Sequence, residues 1–128
     1  MIEHLDTIET IDISVKANYL SEQSTQNEQY IFSYTITIEN QGLTQMQLLS
    51  RYWLITDANG DITTVEGDGV VGQQPHLPPA KPYTYSSGCA LKTPVGTMQG
   101  YYVFQSSDGE KVKATIPVFT LATPNILN

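Results

Sequence analysis

The chain has 128 residues with 13 acidic and 6 scattered basic side chains, so its net charge is −7 and binding to a nucleic-acid backbone is disfavoured. Its one cysteine, Cys89, excludes an intrachain disulfide and is typical of a reducing cytoplasm. No signal-peptide pattern and no membrane-length apolar run are present, so we expect a cytoplasmic protein that does not bind a membrane.

The first half of the chain alternates between apolar and polar residues, and this period of two predicts β-strands. Residues 11–19 and 30–39 are predicted as two long half-buried strands separated by a polar loop over residues 21–28. Residues 47–56 are apolar on both faces, as expected for a central strand, and Trp53 within them is predicted to lie in the core.

The second half continues this pattern after a tight turn at Asn59-Gly60, whose residue types tolerate positive φ angles. Pro117 near the end predicts an edge position or a bulge for the last strand. The remaining strands are predicted over residues 62–66, 81–87, 97–105 and 111–121.

Seven strands without an amphipathic helix pattern indicate an all-β, immunoglobulin- or fibronectin-III-like β-sandwich of about seven antiparallel strands, with a barrel as the alternative. The length predicts a single domain over residues 1–128, with residues 1–7 as a flexible N-terminus. If neighbouring strands alternate in direction, loops 41–45, 67–80 and 107–109 share one end of the domain. Loops 21–28, 57–60 and 88–96 then share the other.

The run Gly67-Asp68-Gly69-Val70-Val71-Gly72 matches the GxGxxG fingerprint of dinucleotide-binding proteins. The fingerprint requires a helix after its last glycine, because the N-terminal N–H groups of that helix hold the pyrophosphate. Pro75 and Pro78-Pro79 follow instead, and residues 88–96 lack the acid that would bind the ribose. We therefore predict an inter-strand loop without a following helix, in which Gly67, Asp68, Gly69 and Gly72 are candidates for binding a ligand or a partner.

Two kinds of binding remain open for this loop. Successive N–H groups can form an anion-binding nest, which would make the chain a small-ligand or phosphate/pyrophosphate-binding protein. Alternatively, the chain is a non-enzymatic module that recognises a protein. Arg51 is a further candidate, since a charge two residues from Trp53 must be paired if it points inward. It would form a structural ion pair, place its guanidinium at the sheet rim, or anchor a partner's carboxylate or carbonyl.

Catalysis and metal binding have less support. The histidines are His4 and His76, and a nucleophilic pair of Cys89 with His76 would join loops that are anchored at opposite ends. A hard-cation site needs oxygen ligands, although acids in turns are usually solvated. We expect no enzymatic activity, no cofactor and no metal. The weak metal candidates are Asp57, Asp61, Glu66 and Asp68.

Three stretches resemble the ApaG family, also called CorD. They are QLLSRYWLITDANG at residues 47–60, VEGDGVVGQQP at 65–75 and YSSGCALKTPVGTMQGY at 85–101. The chain departs from the family at Pro79-Ala80-Lys81, where Pro-Gly-Glu is usual, so the type of that turn is open.

The resemblance implies a fibronectin-III-like sandwich in a bacterial cytoplasmic protein, with a genetic link to cobalt resistance and magnesium efflux. Similar domains in a eukaryotic F-box protein and in a polymerase-delta-interacting protein look like protein-binding modules. The resemblance therefore implies a protein partner but no specific molecular activity. We expect the chain itself to be a monomer or a weak homodimer.

Overall fold

The structure is a computed structural model that describes residues 5–24 and 29–124. These ranges contain one helix, α1 (Ser21–Ser24), and eight strands: β1 (Ile11–Tyr19), β2 (Tyr30–Asn40), β3 (Met46–Asp57), β4 (Ile62–Asp68), β5 (His76–Leu77), β6 (Tyr83–Leu91), β7 (Val95–Ser106) and β8 (Lys111–Ala122). The eighth strand is β5, which has two residues and lies within the predicted 67–80 loop. In the ranges described, no helix is long and apolar enough to cross a bilayer.

The strands form two antiparallel sheets that face each other. The smaller sheet has the order β1-β2-β6, and the larger has the order β4-β3-β7-β8 with β5 also paired to β3. β1 contacts β8 across the sandwich. The predicted all-β sandwich is therefore confirmed, with eight strands in place of seven.

The core lies between the inner faces of the two sheets, where the alternating apolar residues meet. Trp53 is only 2% exposed, and its ring makes edge contacts with Tyr34, Tyr102 and Phe119, so the prediction that it belongs to the core is confirmed. Other residues buried with it are Phe32, Ile36, Ile38, Leu48, Met98, Phe104, Ile116 and Leu121.

The predicted arrangement of loops at two ends is also confirmed for the described residues, and residues 25–28 of the predicted 21–28 loop lie outside them. At one end, Met46 at the start of β3 pairs with Leu77 of β5 and with Ser106 at the end of β7. At the other, the Ala58 amide donates to Thr93 Oγ1 at 3.0 Å. This arrangement of the loops determines which loop residues lie close enough to share a site.

β8 is the edge strand of the larger sheet, as Pro117 predicted. Its register with β7 shifts between Met98 and Gly100, opposite Pro117, so the proline lies at a bulge as well as at an edge.

Three boundaries differ from the sequence prediction. β6 continues to Leu91, through residues assigned to the 88–96 loop, because Cys89 and Leu91 pair with β2. The predicted 21–28 loop begins with α1, whose Ser24 hydroxyl donates to the Leu20 carbonyl at 2.7 Å. Residues 6–8 hydrogen-bond to Lys113, so this part of the expected flexible N-terminus lies against β8. Residues 1–4, including His4, lie outside the described ranges.

Candidate functional site: a cleft at Arg51

The glycine run leaves β4 and folds into a tight turn without a helix. Val70 N donates to the Gln73 carbonyl at 2.8 Å, and Gln73 N donates to the Val70 carbonyl at 3.0 Å. The two residues between them have positive φ, 47° at Val71 and 78° at Gly72, as a type I′ turn requires. The prediction of an inter-strand loop is confirmed. Because no helix follows the last glycine, the motif lacks the geometry that dinucleotide binding requires.

Two of the glycines in this run are needed for close packing. A Cβ at Gly69 would lie 2.2 Å from the Gln73 carbonyl oxygen, so a side chain there would break the turn. A Cβ at Gly67 would lie 2.9 Å from Nη1 of Arg51, and the guanidinium occupies the space that the glycine leaves open. The motif therefore shapes a turn and accommodates Arg51.

Arg51 lies on β3, two residues from Trp53, and both side chains line the same cleft. Its Nη1 donates to two backbone carbonyls, those of Asp68 at 3.0 Å and of Gly69 at 2.9 Å. Among the residues described, no carboxylate forms an ion pair with it, so the structural ion pair, one of the sequence alternatives, is absent there and the loop backbone supplies the acceptors. The N–H groups of Nε and Nη2 have no hydrogen-bond acceptor among the described protein groups.

The cleft opens between the two sheets and has a volume of about 210 Å³. Arg51 and Trp53 come from β3, the aromatic and hydroxyl groups come from β2 and β6, and the turn closes one side. Val70 is fully buried there, whereas Val71 at the rim is 64% exposed. The lining residues are Tyr34, Arg51, Trp53, Val70, Val71, Gly72, Tyr85, Ser86 and Ser87.

The tyrosines beside Arg51 are uncharged at physiological pH. Burial raises the pKa of Tyr85 to about 12, and its hydroxyl is hydrogen-bonded to that of Tyr102, whose pKa burial also raises. Burial raises the pKa of Tyr34 as well, against the opposing effect of a hydrogen bond with Ser87. No tyrosinate therefore neutralises the guanidinium, and the cleft keeps a net positive charge beside hydroxyl groups.

The four weak metal candidates do not form one site. Asp57 is the last residue of β3 and Asp61 immediately precedes β4, whereas Glu66 and Asp68 lie at the end of β4, about 20 Å away at the rise of an extended strand. Asp57 Oδ1 accepts the amides of Asn59 at 2.8 Å and Asp61 at 3.0 Å, which is the ordinary role of an acid in a turn. Within residues 5–24 and 29–124, no group of three His, Cys, Asp or Glu side chains is placed to hold a metal.

His76 and Cys89 are also far apart in the topology. His76 is on β5 opposite Gln47, at the start of β3, whereas Cys89 pairs with Phe32 near the other end of the sandwich. Burial raises the pKa of the Cys89 thiol to about 11, so it stays protonated and weakly nucleophilic at neutral pH. His76 and Cys89 therefore do not form a nucleophilic pair.

The structure brings Gly67, Asp68 and Gly69 against the Arg51 guanidinium, and Gly72 lines the same cleft as Arg51. The sequence interpretation missed the opposite wall, Tyr34 and residues 85–87, because those residues come from strands that pair only in the fold. The consecutive serines at 86 and 87, which interrupt the alternation of β6, were the available signal.

A family model described as the ApaG domain matches residues 20–106, a range that contains the whole cleft. The chain belongs to the ApaG family. It is 54% identical over 120 residues to Protein ApaG of Photobacterium profundum, covering 93% of this chain and 94% of the relative. It is 55% identical over 119 residues to Protein ApaG of Thiobacillus denitrificans, covering 92% and 94%.

Solved structures of the family have the same fold. The chain is similar to the X-ray structure of a Northeast Structural Genomics Consortium target with a TM-score of 0.88 and 47% identity, covering 93% of this chain and 91% of that one. It is similar to the putative ApaA protein of Bordetella pertussis with a TM-score of 0.87 and 41% identity, covering 94% and 98%. The resemblance that the three sequence stretches indicated is thereby confirmed.

Proposed function

We propose that this ApaG-family chain is a non-enzymatic binding module of the bacterial cytoplasm that recognises a protein partner through the Arg51 cleft. The observation that carries the proposal is the guanidinium itself. Its Nη1 donates to the Asp68 and Gly69 carbonyls, Nε and Nη2 have no acceptor among the described residues, and Arg51 lines the cleft. Such donors are satisfied by a carboxylate or carbonyl of a ligand.

The chemistry and size of the cleft favour a partner's carboxylate. Neutral hydroxyl groups of Tyr34 and Ser87 line the cleft beside the guanidinium, so an incoming anion meets donors rather than other anions. A volume of about 210 Å³ suits one side chain or a chain terminus and lies below the range of about 300–1,000 Å³ for pockets that enclose small molecules. Val71 at the rim adds an exposed apolar contact.

A small phosphate or pyrophosphate ligand is the second candidate, favoured by the same positive charge. The glycine loop gives it little help, because an anion nest needs successive free N–H groups. Gly69 N already donates to the Leu49 carbonyl at 2.8 Å, and the amides of Val70 and Gln73 bond to each other's carbonyls, so within residues 69–73 only the amides of Val71 and Gly72 have no backbone acceptor. The protein partner is therefore the better supported of the two.

The lack of enzymatic activity is part of the proposal. The buried Cys89 thiol is protonated at neutral pH, and His76 is placed at the other end of the sandwich. We further propose that any effect on cobalt resistance or magnesium efflux passes through the partner. Support comes from the carboxylates of the β3–β4 hairpin, which separate into two groups instead of surrounding a cation.

The test uses two substitutions at Val71. Val71→Asn and Val71→Asp both suit a positive φ better than valine, and both remove the apolar side chain, so they differ only in charge. We expect Val71→Asp to lose complementation of cobalt sensitivity in a strain without its own copy, and Val71→Asn to retain more of it. Thermal melts of both variants serve as the folding control.

Equal complementation by the two variants would contradict recognition of an anion at the cleft. A titration with sodium pyrophosphate, monitored through the amide NMR signals of residues 67–73, distinguishes the phosphate ligand from the protein carboxylate. A saturable shift at these amides would favour the phosphate ligand over the protein carboxylate. A Gly69→Ala variant is unsuitable here, because its Cβ would collide with the Gln73 carbonyl and unfold the turn.

A further inference from the structure

The free edge of β4 differs from the other outer strand of its sheet. On β8, Pro117 forms a bulge and residues 6–8 cover the strand at Lys113, and these features commonly prevent an edge from pairing. β4 pairs with β3 in an unbroken register from Thr56 opposite Ile62 to Ser50 opposite Asp68. It contains no proline, no lysine and no bulge, and all its residues except Gly67 are exposed.

The hydrogen-bond pattern of the hairpin fixes which backbone groups face outward. Asp57 N donates to the Asp61 carbonyl at 3.0 Å and Gly69 N to the Leu49 carbonyl at 2.8 Å, so odd-numbered residues from 61 to 69 bond to β3. The N–H and C=O groups of Ile62, Thr64 and Glu66 therefore point away from β3. No strand of the described chain lies on that side.

The side chains of this edge indicate what would pair with it. Ile62 is 61% exposed and Val65 is 37% exposed, and both are apolar side chains of the kind that pack against a neighbouring strand. Residues 57–68 carry four acids, Asp57, Asp61, Glu66 and Asp68, and no base. An added strand would gain from basic side chains across from these acids.

We propose that β4 binds an extended basic segment of a partner protein by strand addition to its free edge. The backbone groups of Ile62, Thr64 and Glu66 supply the hydrogen bonds, and the acids select for lysine or arginine. A second copy of this chain fits less well, since each copy has a net charge of −7 and would bring the same acidic strand. The inference shares with the proposed function the premise of a protein-binding module, but it uses a different surface.

The experiment selects from a displayed library of random dodecapeptides on the immobilised full chain. We expect enriched peptides to alternate Lys or Arg with β-branched residues. The most enriched peptide should slow amide hydrogen exchange at Ile62, Thr64 and Glu66 at least about tenfold in the wild-type chain, while amides that already bond to β3 change little.

Thr64→Pro removes one outward N–H without touching the β3 ladder, and Thr64→Val keeps it, so the two form a matched pair. The proline variant should weaken peptide binding at least about tenfold, and the valine variant should bind like the wild type. Val71→Asp should leave peptide binding at β4 unchanged. Failure of the strand-addition proposal can therefore be distinguished from failure of the cleft proposal.

Enrichment of acidic peptides, or no enrichment, would overturn the proposal. So would unchanged binding by a folded Thr64→Pro variant. Protection of the same amides without peptide, rising with protein concentration, would show a second copy as the occupant and also refute it. If Thr64→Pro does not fold, the wild-type exchange pattern decides alone, and protection elsewhere than at the three outward amides rejects strand addition.

Discussion

Replacing Gly67 by alanine tests the packing that forms the candidate site. A Cβ at this position would lie 2.9 Å from Nη1, 3.1 Å from Nη2 and 3.2 Å from Cζ of Arg51. Real contacts of this kind are longer, so the guanidinium must move. The backbone of β4 can stay in place, because the obstacle is the end of a flexible side chain. Movement of Nη1 would break its bonds to the Asp68 and Gly69 carbonyls.

The expected cost follows from those two bonds. A hydrogen bond to a charged group contributes about 1.5–3 kcal/mol, and partial exposure here favours the lower end, so loss of both costs about 2–3 kcal/mol. Alanine in place of a strand glycine stabilises the fold by about 0.5–1 kcal/mol, because alanine loses less conformational entropy on folding. We expect Gly67→Ala to lower the free energy of unfolding by about 1–2.5 kcal/mol in the wild-type background.

The same substitution should have the opposite sign once Arg51 is removed. In an Arg51→Ala background there is no guanidinium to displace, so Gly67→Ala should stabilise the chain by about 0.5–1 kcal/mol. Urea unfolding of the four proteins gives the coupling free energy, which we expect to be about 2–3 kcal/mol with unchanged m-values. Equal effects of Gly67→Ala in both backgrounds would refute the packing of Arg51 against Gly67.

Three further outcomes are expected. Trp53→Ala should cost about 3–5 kcal/mol in urea unfolding because the ring is buried among three aromatic neighbours, and a nearly unchanged midpoint would place Trp53 outside the core. Ala80→Gly should stabilise the chain by about 0.5–1 kcal/mol, since Ala80 has a φ of 65°, with Ala80→Ser as a control that gains nothing. Stability should fall above about pH 9, because the folded-state pKa values of Cys89 and Tyr85 are raised from 9.0 to about 11 and from 10.0 to about 12. A group with a raised pKa stabilises the fold below its unfolded value and loses that contribution as pH rises through the folded one. The urea midpoint between pH 8 and 12 checks this, and an equal midpoint at pH 8 and 11 would contradict it.

The alternation of apolar residues predicted most of the fold because each strand has one face in the core. Trp53 and the two-faced run around it marked β3 as central, and Pro117 marked the edge strand. β5 was missed, since two residues carry no periodicity and its pairing with Met46 is set by the loop around it. Ala80, where the resemblance would place a glycine, has a φ of 65°, a conformation that glycine adopts more easily than alanine.

The site was only half predictable for a related reason. Arg51 and the glycine run are separated by one hairpin, so local reasoning could associate them. Tyr34 and Ser87 reach the same cleft from the opposite sheet, and no local pattern records the distance between two sheets. A structural ion pair was one of the alternatives for Arg51, but its guanidinium bonds to the backbone carbonyls of Asp68 and Gly69, which have no signature in the sequence.

Val71 connects the local strain of the turn to the proposal of binding. A φ of 47° costs a β-branched residue roughly 1–2 kcal/mol of strain, whereas glycine or asparagine adopts this conformation more easily. Burial does not offset this cost, because the side chain is 64% exposed, while its neighbour Val70 fills the core. Strain of this kind is typical of functional positions, where a contact outside the folded chain supplies what packing does not. Since Val71 stands at the rim of the Arg51 cleft, the proposed apolar contact with a partner beside a bound carboxylate would account for both the strain and the exposure.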